Sequence, residues 1–151
     1  MTPPSCPWAD LLDPAIPHWR FPNQAGGWIS PAVEFSAKPN GPWIGPGQLP
    51  KTVTTIFDTG AAFSLMNTGL VEELALRDTG TTRVLKMANG AEDVFSIARG
   101  FLRLERADHF MHLLVAHSEK TRRDRILLPV STLHYYHVLL THSESIWFNR
   151  S

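Results

Sequence analysis

The chain has 151 residues, which is the length of one ordinary domain: enough for a real core, too little for two domains of typical size. Fourteen Lys and Arg balance fourteen Asp and Glu, so the charge implies neither nucleic acid nor an anionic membrane surface as a partner, and recognition has to rest on shape. A single cysteine, Cys6, excludes an internal disulfide and a thiolate metal cluster; with no apolar run of membrane-spanning length, and Pro3, Pro4, Pro7, Asp10 and Asp13 interrupting the start, a soluble, intracellular, cytoplasmic protein is expected.

Composition changes sharply near Lys51. Eleven of the twelve prolines and four of the five tryptophans lie in residues 1–50, with only five of the 28 charged residues. Proline fixes φ and removes a backbone donor, so this half is not built mainly from helices or central strands. Residues 1–30 read as a Pro/Trp-rich N-terminal arm and residues 31–151 as the folded domain. Trp8, Trp19, Phe21 and Trp28 are too apolar for a purely disordered linker, so parts of the arm are expected to lie against the body or a second subunit. A flexible leader is the equal alternative for residues 1–25.

Ala32 to Ser36 reads as an edge strand, followed by a long, turn-rich loop from Lys38 to Pro50. Val53 to Phe57 is β-branched and apolar, and Phe63 to Met66 is a second short apolar run. Thr68 is expected to cap a short helix in which Leu70, Val71 and Leu74 share a face and Glu72 and Glu73 occupy the first turn. Arg83 to Met87 and Glu92 to Ala98 flank Ala88-Asn89-Gly90-Ala91, and Asn-Gly between strand-like runs predicts a hairpin because both residues accept positive φ. Phe101 to Leu104 and Phe110 to Val115 continue as alternating strands, Lys120 to Arg125 is a charged loop, and Ile126-Leu127-Leu128 is a buried-type strand. Ser131 to Leu140 is expected to form a short helix, and Ser145 to Phe148 a closing strand.

The chemistry concentrates in Ile56-Phe57-Asp58-Thr59-Gly60-Ala61-Ala62-Phe63-Ser64. An apolar strand that delivers Asp-Thr-Gly into a turn fixes a carboxylate on a rigid element, offers a hydroxyl to brace the turn, and lets backbone approach closely at glycine. The tripeptide alone is weak evidence, since Asp78-Thr79-Gly80 repeats it. There Leu76-Arg77 before and Thr81-Thr82-Arg83 after read as a helix end and a solvated turn, which argues against catalysis.

With its flanking residues, the first copy resembles the retropepsin-like aspartic proteases of retroviruses, retrotransposons and their cellular relatives, over about Ala32 to Phe148. The elements fall in family order: strand and Asp-Thr-Gly-Ala turn, short helix, hairpin in the place of the flap, strand, then an apolar strand before a short helix. The resemblance implies a mainly β, closed-barrel acid-protease subunit, half of an enzyme, with a flap hairpin and one or two short helices. It implies Asp58 as the catalytic residue, Thr59 as the hydroxyl locking the two active-site loops, Gly60 and Ala61 as substrate-contacting backbone, and Met87, Ala88, Asn89, Gly90 and Ala91 as the flap tip. Two departures stand out: Pro129 where the family usually has glycine, and the long loop Lys38 to Pro50 in place of a tight turn.

Such hydrolysis needs two carboxylates, one ionised to take a proton from water and one protonated to polarise the scissile carbonyl. One credible copy per chain therefore requires a two-fold homodimer with Asp58 of each subunit at the axis, sharing a proton. The expected substrate is an extended peptide or polyprotein, including the chain itself, cleaved at acidic to near-neutral pH without metal, cofactor or covalent intermediate. Neither nucleic acid nor membrane is expected as a partner. His109 with His112, and His134 with His137, lack the further ligands of a metal site. Ser64 and Cys6 lack the setting of a nucleophile. The competing reading is a catalytically silent dimerisation or peptide-binding module on the same fold.

Overall fold

The computed structural model describes residues 17–24, 28–58, 61, 63–87, 89–129, 131 and 136–149. Its elements in chain order are β1 (His18–Pro22), β2 (Val33–Ser36), a 3-10 turn (Pro46–Gln48), β3 (Thr54–Phe57), β4 (Ser64–Asn67), helix α1 (Thr68–Glu73), β5 (Arg77–Lys86), β6 (Glu92–Leu104), β7 (Met111–Ser118), β8 (Arg125–Leu128), β9 (Tyr136–Leu140) and β10 (Glu144–Asn149). The main sheet runs β2-β6-β7-β4-β8-β3, with β5 also paired to β6, and a second sheet runs β1-β10-β9. Most neighbours are antiparallel, but β3 lies parallel to β8 and β4 parallel to β7.

Alternation explains why these segments form strands. In β7 Met111, Leu113 and Val115 are buried while His112 and Leu114 face out, the period-two signature of a half-buried strand. The core gathers the inward residues: Phe35, Met66, Leu70, Leu74, Leu102, Leu104, Ile126 and Leu128 are all at most 2% exposed. Each such side chain contributes about 1.5–3 kcal/mol through burial. Trp147 of β10 joins the small sheet to this core, edge-on to Phe57 at 5.6 Å and to Tyr136 at 5.8 Å, its indole N–H donating to Ser145 Oγ at 2.9 Å.

The loop between β2 and β3 folds back on the edge it follows. Ile44 and Phe35 exchange backbone hydrogen bonds of 2.8 Å each way, and Arg103, bound to Glu34 at 3.0 Å, lies over the Trp43 ring at 4.4 Å. An edge strand that would otherwise offer free backbone groups is thereby covered.

Four expectations are corrected. First, Tyr136 to Leu140 is strand β9, not the second half of a helix; residues 132–135 lie outside the described residues. Its partner β10 is reached through a turn in which Thr141 Oγ1 accepts from the amides of Ser143 and Glu144 at 3.2 and 3.0 Å, and Tyr, His and Val suit a pleated, half-buried surface. Second, α1 is capped by Asn67, whose Oδ1 accepts the Gly69 amide at 2.8 Å, so Glu72 and Glu73 fall at the C-terminal end of the helix rather than in its first turn. Glu73 pairs instead with Arg123.

Third, Asp78-Thr79-Gly80 is neither helix end nor loop: it forms a bulge inside β5, with the register to β6 shifting between Asp78 and Thr81 and Gly80 at φ 76°. Fourth, Glu92 to Ala98 and Phe101 to Leu104 are one continuous strand. Gly100 between them is no breaker; a Cβ there would stand 2.7 Å from the Ser36 carbonyl oxygen, so glycine is what lets β2 close on β6.

Candidate active site

Asp58 follows the last residue of β3. The ladder puts Ile56 opposite Leu127 and Phe57 opposite Leu128, and the Asp58 amide then donates to the Leu128 carbonyl at 2.9 Å. Phe57 is anchored from the other side as well, its amide donating to Ile29 at 2.8 Å and its ring held by Trp147. The half-buried carboxyl residue thus ends a strand fixed on two flanks, and the backbone turns at once: the Ala61 amide donates to the Asp58 carbonyl at 3.2 Å. Of the other turn residues singled out in the sequence, Thr59 and Gly60 lie outside the described residues. Ser64 is fully buried at the start of β4.

Pro129 is buried directly after Leu128. It follows the last paired residue of β8, so the proline removes no donor from the β3–β8 ladder, and the Leu128 carbonyl remains available to Asp58.

The hairpin forms as its Asn-Gly pair dictates, with one refinement. Gly90 takes φ 85°, and Asn89 contributes through its side chain, its Oδ1 accepting the Ala91 amide at 3.0 Å. Met87 closes the loop, donating to the Ala91 carbonyl at 2.7 Å and accepting from Gly90 at 2.9 Å. Ala88 lies outside the described residues. Met87, Asn89, Gly90 and Ala91 are exposed at the tip.

Between this hairpin and the strands below it lies a cavity of about 300 Å³, lined by Leu65, Met87, Phe95 and Leu127 and rimmed by Arg122 and Arg125 among others. Leu65 and Leu127 face each other across β4 and β8, and Leu127 is the partner of Ile56, two residues before Asp58. The cavity and the Asp58 turn therefore share one piece of sheet. On the rim Arg122 grips Asp124 through two hydrogen bonds of 2.9 and 2.7 Å; this pairing holds the Asp124 carboxyl below its ordinary range, while Arg125 lies over the Trp28 ring at 5.5 Å.

A polar chain beside the hairpin base had no counterpart in the sequence reading. Buried His117 meets Thr68 Oγ1 through Nδ1 at 3.0 Å, and its Nε2 stands 3.6 Å from Asp78 Oδ2. The signal was available: His117 continues the inward parity of Met111, Leu113 and Val115. Three further histidines pack against aromatic rings, His112 on Phe101 at 5.0 Å, His109 on Tyr136 at 6.2 Å and His137 on Phe148 at 5.4 Å; His134 lies outside the described residues.

A curled, mainly β sheet carrying a long β5–β6 hairpin makes a retropepsin-like fold. Among solved structures the chain is similar to the crystal structure of a retropepsin-like aspartic protease from Rickettsia conorii, with a TM-score of 0.52 and 15% sequence identity over 87% of this chain and 98% of that one. No protein-family model and no curated protein matches the chain. No described helix is long and apolar enough to cross a membrane.

Proposed function

We propose that this chain is one subunit of a homodimeric aspartic endopeptidase in which Asp58 supplies one carboxylate of a shared dyad. The observation that carries the reading is the setting of Asp58: a carboxyl that follows a strand braced by Leu128 and Trp147, that strand pairing through Ile56 with Leu127, which lines the apolar cavity under the hairpin.

The chemistry follows from the need for two carboxyl groups in different protonation states. Across a two-fold axis, Asp58 of each subunit would meet its symmetry mate, and like charges at close range cannot both ionise easily, so the pair holds one proton between them. The ionised member takes a proton from water as it attacks; the protonated member donates to the carbonyl oxygen. Thr59 would brace the paired turns, and Gly60 and Ala61 would offer backbone to an extended peptide lying between the floor and Met87 to Ala91. Polyprotein or self-processing substrates fit that geometry, because an extended strand is read by its backbone and by alternate side-chain pockets.

The test is mass-spectrometric mapping of products from a diverse peptide library, from acidic to neutral pH, with the intact chain and with D58N. Cleavage present in the first and lost in the second is expected. Absence of any Asp58-dependent product would leave a silent peptide-binding or dimerisation module. Sedimentation tests the assembly separately, since a strictly monomeric chain cannot form the dyad.

A further inference from the structure

The outer face of β6 carries an arrangement that neither the core nor the proposed chemistry uses. Arg77 and Arg99 are directly opposite partners on β5 and β6, so two guanidinium groups leave the sheet from the same face. Like charges in that relation are destabilising unless something lies between them. Among the described residues neither arginine has a carboxylate within ion-pairing distance, and nor has Lys38, which approaches the same place from the loop after β2. Asp78, although next in sequence, pairs with Ala98 and faces His117 on the opposite side.

The three cations border a cleft of about 440 Å³ with no acidic residue in its lining. Its floor is apolar and aromatic. Leu114 is the cross-strand partner of Arg99 and is 52% exposed; Phe101, two residues further along β6, stacks with its partner His112. By strand parity Arg77, Arg99, Leu114, Phe101 and His112 all stand on one face.

We propose that this cleft binds an acidic peptide segment of a partner or substrate protein, with carboxylates on Arg77, Arg99 and Lys38 and an apolar side chain between them on Leu114 and Phe101. Arginine forks match carboxylates in bidentate geometry, and an anion there converts the repulsion of Arg77 and Arg99 into attraction. An apolar side chain accounts for the exposed leucine, which a simple inorganic anion would leave in water. Nucleic acid fits less well, because three cations around one cleft fall short of the roughly 6–10 phosphate contacts of a typical duplex binder. The site is independent of the carboxylate chemistry: β3, which delivers Asp58, lies at the edge of the sheet away from β6.

The experiment is fluorescence anisotropy with the full chain and a labelled Gly/Ser peptide carrying Glu-Leu-Glu. Binding that weakens with salt, is absent for Lys-Leu-Lys, and drops about tenfold or more in R77Q/R99Q is expected, with a smaller loss in L114S and none in K51Q, at an exposed lysine outside the cleft. The arginines are exposed, so circular dichroism of the double variant should match the parent. The proposal is overturned by no binding of Glu-Leu-Glu, by equal affinity in R77Q/R99Q, by equal affinity for Glu-Gly-Glu, or by displacement at comparable concentration by inorganic phosphate or a single-stranded oligonucleotide. Repeating the titration with D58N separates the outcomes: unchanged affinity is expected whether or not the chain cleaves peptides.

Discussion

Asp-Thr-Gly occurs twice in this chain, and the two copies live in different worlds. Asp58 follows a short strand whose Thr55, Ile56 and Phe57 are buried, its amide tied to Leu128 and its predecessor Phe57 clamped by Trp147. Asp78 sits near the start of the first strand of the hairpin, its side chain 56% exposed, with its Oδ1 accepting the Gly80 amide at 3.0 Å and the Thr79 hydroxyl donating to the Ile97 carbonyl at 2.6 Å. In the second copy the tripeptide satisfies itself and its own hairpin, building a bulge. Three residues specify a tight backbone excursion; whether the carboxylate is available for chemistry depends on what the flanking strands pair with.

The sharpest way to break this contrast is a pair of asparagine variants. D58N should lower peptide cleavage by about 10²–10⁴-fold or more, the scale of a lost general acid–base group, while D78N leaves the rate within about threefold; steady-state kinetics on the best library substrate decides. A comparable loss in D78N would mean the two copies had been assigned the wrong way round. Next in size is packing beneath the first copy: L128A should cost about 2–5 kcal/mol in urea denaturation, whereas V84A, 60% exposed on the hairpin that carries the second copy, should stay within about 0.5 kcal/mol. N67A, which removes the cap of the helix between the two copies, should cost about 1 kcal/mol.

The smallest expected effect is a pH signature from the sheet that supports Phe57. Burial pushes the Tyr136 hydroxyl above its ordinary value. The unfolded chain then ionises first as pH rises, so stability is constant at neutral pH and falls once pH passes the unfolded tyrosine value of about 10. Thermal melts of Y136F should show a shallower alkaline decline than the parent; an identical decline would assign the alkaline loss to another group.

What the sequence revealed follows the same logic of neighbours. The hairpin was legible because Gly90 needs positive φ and alternating runs stand on both sides. The β3 strand was legible because Thr54 to Phe57 is short, apolar and β-branched, and with it the position of Asp58. Less legible were segments whose conformation is set by distant partners. Tyr136 to Leu140 carries no turn glycine after it, only Thr141 and Ser143, whose hydroxyls build the turn once β10 is present. Gly100 looks like a strand end until Ser36 is brought against it. The second Asp-Thr-Gly looked like a loop because its bulge is intelligible only beside β6, and the Arg77 and Arg99 pair is invisible until β5 and β6 are in register.

The small sheet has a temporal meaning. β1 and β9 both pair with β10, and His18 meets Phe148 across a long separation in sequence. Contacts between such remote residues carry a large loop-closure entropy and form late. During synthesis the hairpin can pair as soon as it emerges, whereas His18 to Pro22 must wait until Glu144 to Phe148 have been made. Trp147, and with it the clamp on Phe57, is made long after Phe57 itself and after both strands of the hairpin, so the bracing of the Asp58 turn follows the hairpin in the life of each new molecule.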